Sequence, residues 1–258
     1  MPFPFILSRP VSLCRGWLLS MLILLPIAPL AAQLEYRVGV EDVDYYPIYS
    51  AVPPDYQFRG YARDLLDAFA VHEQIQLRYV SLPVRRLTHD YWAGRLDLIF
   101  PDNPRWSEGK KQELGIVYSQ PLLVFQDAML VLPSRLGQPR EGFRKLGFVR
   151  GFTPWKFQTE IAAGRVEIET SPGPEGLIRM ALSGYIDAAN MARQVAQYHL
   201  AQLGQPDGLR VEPRLLSLVD SHYHLSSIRH PELIHRFDAF LLAEPRAVAA
   251  LKAKYGLQ

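Results

Sequence analysis

The chain has 258 residues, 48% of them apolar and 21% charged, with a formal net charge of +2. So small a charge leaves no electrostatic footprint for nucleic acid. The only cysteine, Cys14, excludes an internal disulfide or a Cys-built metal centre.

Residues 1–15 carry Arg9 and Arg15 and no acid, and an apolar run over 17–30 leads to Ala31-Ala32-Gln33. A basic start, a short apolar stretch and small residues at its end read as a cleavable secretory signal over residues 1–32, with a periplasmic destination. Leu30 departs from the small residue preferred three positions before a cut after Ala32. Pro26 and Pro29 interrupt the run, and a spanning helix needs about 20 apolar residues. Cys14 precedes the run, so it is not a lipidation site. The signal takes two arginines and no acid with it, lowering the formal charge from +2 to zero. The mature chain suits one large domain or two lobes of about 100 residues each.

Beyond the signal, strand and helix patterns alternate. Tyr36-Arg37-Val38-Gly39-Val40 alternates like a strand. A turn-rich loop with Tyr45-Tyr46-Pro47 and Pro53-Pro54-Asp55 comes next, then a helix from about Gly60 with Leu65, Leu66, Phe69 and Ala70 at helical spacing. A strand is predicted over 76–80, a helix over 83–94 bounded by Pro83 and Gly94, and a strand over 96–100 stopped by Pro101. This βαβαβ order specifies a mostly parallel sheet. It recurs as a strand over 145–149, a helix opened by Thr153 as N-cap and Pro154, and a strand over 166–169. A helix over 174–183, a strand over 186–190 and a helix over 192–203 complete it. Extended stretches over 122–132 and 215–227 join the two sets, and helices over 231–242 and 246–255 end the chain. The expected fold is α/β, with two lobes, each a mostly parallel sheet flanked by helices, joined by two extended hinge crossings. Lobe 1 takes residues 33–124, lobe 2 takes 125–218, and 219–258 return to lobe 1.

Short strings in order carry a resemblance. They include Tyr36-Arg37-Val38-Gly39-Val40, Tyr46-Pro47, Gly60-Tyr61-Ala62-Arg63-Asp64-Leu65, Gly94-Arg95-Leu96-Asp97-Leu98-Ile99, Lys110-Lys111-Gln112 and Tyr118-Ser119-Gln120-Pro121. In the second half, Gly151-Phe152-Thr153, Ala181-Leu182-Ser183-Gly184-Tyr185-Ile186-Asp187, His230-Pro231-Glu232-Leu233 and Lys254-Tyr255-Gly256 continue it. With these the chain resembles the type II periplasmic solute-binding proteins of amino-acid-type ABC uptake systems, over nearly all of residues 36–256. The resemblance implies two lobes closing on a solute at the strand C-termini, where open α/β sheets bind ligands. It also implies an arginine about twelve residues after Asp97 for an α-carboxylate, and an aspartate five after Asp187 for an α-amino group. Ungapped counting finds Gly109 and Ala192 there, so both zwitterion grips are missing and ordinary α-amino acids are expected to bind poorly.

Replacement anchors are Arg105 or Arg85 for an anion, and Asp44, Asp102 or Asn190 for an amine. Asp102, Asn103, Arg105 and Trp106 come after the third strand with hydrogen-bonding groups, a charged fork and a stacking face, although Asp-Asn-Pro is also ordinary turn chemistry. Tyr46, with Tyr45 and Tyr49, offers aromatic contact or packs its own loop. Thr153 sits at an expected helix start that attracts anions or merely caps it, and Trp155 belongs to cleft or core. His222 and His224 would share one strand face, but no third metal ligand lies near them, and the acidic run 41–44 lacks the glycine and terminal glutamate of a calcium loop. No nucleophile elbow, zincin, phosphate-loop or dinucleotide motif is present. The expected function is capture of a small polar molecule (amino-acid-like, amine or carboxylate) by a monomer without cofactor or metal, for an inner-membrane ABC permease. The alternatives are a periplasmic sensor acting through a partner, and a dehydratase-like enzyme on the same fold.

Overall fold

The computed structural model describes residues 1–2, 33–106, 108–216 and 220–257. The expected signal over 1–32 therefore lies almost wholly outside the described residues. Gln33–Gln258 form one compact unit.

β1 (Glu35–Glu41) forms as expected, and its last four residues are buried. A short hairpin, β2 (Asp44–Tyr45) with β3 (Tyr49–Ser50), is not visible in the sequence because two-residue strands carry no periodicity. α1 (Tyr61–Glu73) buries Leu65, Leu66, Phe69 and Ala70 on one face, in keeping with their helical spacing. β4 (Gln76–Leu82) and α2 (Val84–Trp92) come next, Pro83 standing just before the helix. β5 (Leu98–Asp102) does not stop at Pro101. Its pairing with β1 ends at Phe100, and the irregularity in its partner strand spans His224 to Ser226, so the missing N–H interrupts no regular ladder.

α3 (Glu108–Lys111), β6 (Val117–Tyr118) and the long β7 (Leu123–Val131) lead into the second half. β8 (Lys145–Val149) is followed by a tight turn, and α4 (Gln158–Ala162) starts later than expected. Pro154 has ψ 53°, outside the helical region, so Thr153 is not a helix N-cap. The remaining elements are β9 (Glu167–Ser171), α5 (Pro174–Leu182), β10 (Ala188–Ala192), α6 (Arg193–Gln202), β11 (Arg210–Val211), β12 (Asp220–Ser227), α7 (Pro231–Ala243) and α8 (Pro245–Lys254).

The strands run in the order β4-β1-β5-β12-β7-β10-β8-β9. β1 lies parallel between β4 and β5, and β8 lies parallel between β9 and β10. The two extended stretches meet as an antiparallel pair, Tyr223 facing Leu123 and Asp220 facing Gln126, so they form the joint between the two parallel sets. The two halves also share a local device. Asp97 accepts the Arg37 N–H (2.8 Å) at the start of β1, and Asp187 accepts the Arg144 and Lys145 N–H groups (2.7 and 2.8 Å) at the start of β8. α7 and α8 pack on α1, with Phe69 and Phe237 edge to face at 5.0 Å and the Tyr255 hydroxyl donating to Asp64 at 2.8 Å. No helix among the described residues is long and apolar enough to cross a membrane.

Candidate functional site

Parallel strands carry their carboxyl ends to one edge, and here the ends of β1 and β5 open onto a cleft of about 330 Å³. α2 and α3 border it from the first half; β7, β10 and the 151–155 turn border it from the second, with β12 beneath. Gly151, at φ +94°, approaches α2 so closely that a Cβ there would stand 2.7 Å from Val84 Cβ. Only glycine gives both that backbone conformation and that approach.

The walls are aromatic. Phe125 and Tyr223 stack at 4.1 Å, Trp106 meets Tyr223 at 5.9 Å, and Trp92, Phe152 and Trp155 also line the space. Embedded among them are three carboxylates and one buried lysine. Asp102, 2% exposed, pairs with Lys111 and accepts the Ser226 hydroxyl at 2.6 Å and the Asn103 N–H at 2.7 Å. Lys111 also donates to the Asn103 carbonyl at 2.7 Å. Asp127 accepts Lys156 at 3.0 Å and the Asn190 amide at 2.9 Å. Burial raises the Asp127 pKa, and Lys156 opposes that rise. Glu41 has no cationic partner among the described residues: burial pushes it from 4.5 up to about 8, the Tyr49 hydroxyl it accepts pulls it down, and Asp102 and Asp42 add to the rise. At neutral pH Glu41 is therefore mostly a neutral acid and a hydrogen-bond donor.

Of the residues expected from sequence, Arg85, Asp102, Trp106, Thr153, Trp155 and Asn190 border this cleft. Asp44, Tyr46, Asn103 and Arg105 are not part of its lining. The Asp44 carbonyl accepts His199 Nε2 at 3.0 Å, and the Tyr46 ring lies 4.6 Å from Tyr198 and 6.0 Å from Tyr255. The Asn103 side chain closes its own turn, accepting the Arg105 N–H at 2.9 Å and donating to the His222 carbonyl at 2.8 Å. Arg105 is exposed, its guanidinium 5.5 Å from the Trp155 ring. Thr153 borders the cleft from a turn instead of a helix start. Ala192, five residues after Asp187, gives its N–H to the Tyr45 hydroxyl at 2.8 Å.

Sequence reasoning missed Glu41, Lys111, Asp127, Phe125 and Tyr223. An acid closing the buried end of β1 was a usable signal for Glu41. The others declare themselves only through partners far along the chain. Among the described residues no cluster of three or more His, Cys, Asp or Glu is arranged to hold a metal. His222 and His224 stand 6.1 Å apart, and His224 Nδ1 donates to the Ser119 carbonyl at 2.7 Å.

No family model matches the chain, and no curated protein does. Solved structures do resemble it. A histidine kinase sensor domain with similarity to periplasmic binding proteins superposes with TM-score 0.69 at 19% identity, covering 86% of this chain and 96% of that one. The substrate-binding protein of an amino acid ABC transporter gives 0.68 at 14%, covering 86% and 98%. The VFT2 domain of Bordetella pertussis BvgS, as a double mutant, gives 0.65 at 16%, covering 86% and 93%. The chain thus has the two-lobed fold of type II periplasmic binding proteins, in agreement with the sequence pattern.

Proposed function

We propose that this protein is a periplasmic solute-binding protein that captures a small polar molecule in the cleft between its lobes. Lobe 1 takes residues 33–124 and 219–258, and lobe 2 takes 125–218. The supporting observation is the cleft itself: an aromatic-walled space at the strand ends, with a few fixed polar groups converging on it, the usual make-up of a small-molecule site. Delivery to an inner-membrane ABC permease is the first reading of its role. Sensing through a partner is the second, and it draws on contacts that tie the lobes to each other. The Tyr45 hydroxyl holds the Ala192 N–H, His199 holds the Asp44 carbonyl, and Tyr46 packs on Tyr198. Lobes fastened by their own side chains lean less on the solute for closure.

A thermal-shift screen of amino acids, amines, carboxylates and small peptides tests the binding reading. A solute at 100 times its Kd adds about 2.7 kcal/mol. For a domain of this size that raises Tm by roughly 5–10 °C. A screen in which no small solute raises Tm contradicts the proposal.

A further inference from the structure

Resting on the solute-binding reading, the charge balance of the cleft narrows what the solute is. Two of the three carboxylates there already hold an ammonium of the protein: Asp102 holds Lys111 and Asp127 holds Lys156. Glu41 is hydrogen-bonded by Tyr49 and buried at 3% exposure, without a cationic partner among the described residues. The remaining cation in the lining is Arg85, at the start of α2, and among the described residues no carboxylate pairs with its guanidinium. Arg105, over Trp155, is a second guanidinium nearby that no carboxylate pairs with among the described residues. A ligand ammonium would find Asp102 and Asp127 already paired and Glu41 buried and engaged by the Tyr49 hydroxyl, and Arg85 would repel it. A ligand carboxylate would find a free fork able to grip it with two parallel hydrogen bonds. The first turn of α2, whose cap position is Pro83, adds the positive end of a helix dipole on the same side. The rest of the space is walled by Trp92, Trp106, Phe125, Phe152, Trp155 and Tyr223, which suits a flat apolar body.

We propose that the cleft takes an organic monocarboxylate with an aromatic or bulky apolar body and no free amino group, and that Arg85 is the residue that grips its carboxylate.

Three probes with one phenyl ring and permuted charges test this by calorimetry on the full chain: 3-phenylpropionate, phenylalanine and phenethylamine. The expected order is phenylpropionate tightest, phenylalanine at least tenfold weaker and phenethylamine without measurable binding. Arg85→Gln is expected to weaken phenylpropionate at least tenfold while leaving the melting temperature of the protein alone unchanged, because Arg85 is exposed and pairs with no carboxylate among the described residues. Arg86→Gln, the neighbouring arginine that faces Asp90 at 3.6 Å, is the control and is expected to bind like the unaltered protein. Phenylalanine or phenethylamine binding as tightly as phenylpropionate would overturn the ligand class while leaving solute binding intact. Phenylpropionate binding that survives Arg85→Gln would overturn the assignment of Arg85. Failure of all three probes would overturn the inference, and the broad solute screen would then decide separately whether solute binding itself stands.

Discussion

Replacing Lys111 with alanine is expected to destabilise the protein by about 3–5 kcal/mol, lowering Tm by roughly 6–20 °C. Asp102 and Lys111 are 2% and 8% exposed in their side chains and form an ion pair at the floor of the cleft. Without Lys111 the carboxylate keeps only the Ser226 hydroxyl and the Asn103 N–H. Two neutral donors do not replace an ammonium for a charge held away from water. The pair is not expected to be worth that much in itself, since most of the loss comes from abandoning one buried charge. Hence Asp102→Leu combined with Lys111→Met should recover most of the stability. Urea unfolding of the unaltered protein and both variants checks these statements, and a loss under about 1 kcal/mol for Lys111→Ala would contradict the buried pair.

Glu41 sets the second expectation, a dependence of stability on pH that one substitution removes. Its ordinary pKa of 4.5 is raised to about 8 in the folded protein, chiefly by burial. Between those values the native state holds a proton that the unfolded chain has released. Stability is therefore full below about pH 4.5 and falls as pH rises, by about 1.4 kcal/mol per unit at most, until Glu41 ionises in the fold near pH 8. The whole span amounts to about 4–5 kcal/mol. Glu41→Gln keeps the shape and an acceptor for the Tyr49 hydroxyl but has no proton to lose. Relative to the unaltered protein it is expected to gain stability steadily from pH 5 to pH 8. Denaturant unfolding at pH 5, 6.5 and 8 reads the difference; parallel pH profiles for the two proteins would contradict a buried neutral Glu41.

The elements with several turns or several pleats were legible in the sequence because their burial is periodic. α1 shows this in Leu65, Leu66, Phe69 and Ala70, and β1 in its alternation up to a buried end. Local punctuation misled where tertiary context overrode it. Pro101 reads as a strand end, but its strand neighbour is irregular at that level and no regular bond is lost. Thr153-Pro154 reads as a helix start, but the turn there is drawn close to α2 through Gly151. At the site, the position after the strand expected over 96–100 pointed to Asp102 and Trp106, and the expected helix start near Pro83 raised Arg85. What spacing could not supply was state of charge. That Asp102 and Asp127 are already spoken for depends on Lys111 and Lys156, nine and 29 residues away in sequence. That Glu41 is neutral depends on the packing around it. Arg105, one of the two arginines the sequence offered for an anion, stands outside the lining, where the Asn103 turn carries it out over Trp155.

The tryptophans offer the most direct test of solute capture. The chain has four, and Trp92, Trp106 and Trp155 all line the cleft, while Trp17 lies in the expected signal. In a Trp17→Phe protein every indole would then report on that one space. Titrating the carboxylates, amines and amino acids of the solute screen against tryptophan emission should give, for at least one of them, a saturable single-site change whose Kd matches the thermal shift. Emission that stays constant for every solute, including any that raises Tm, would place binding elsewhere and contradict the cleft as the capture site.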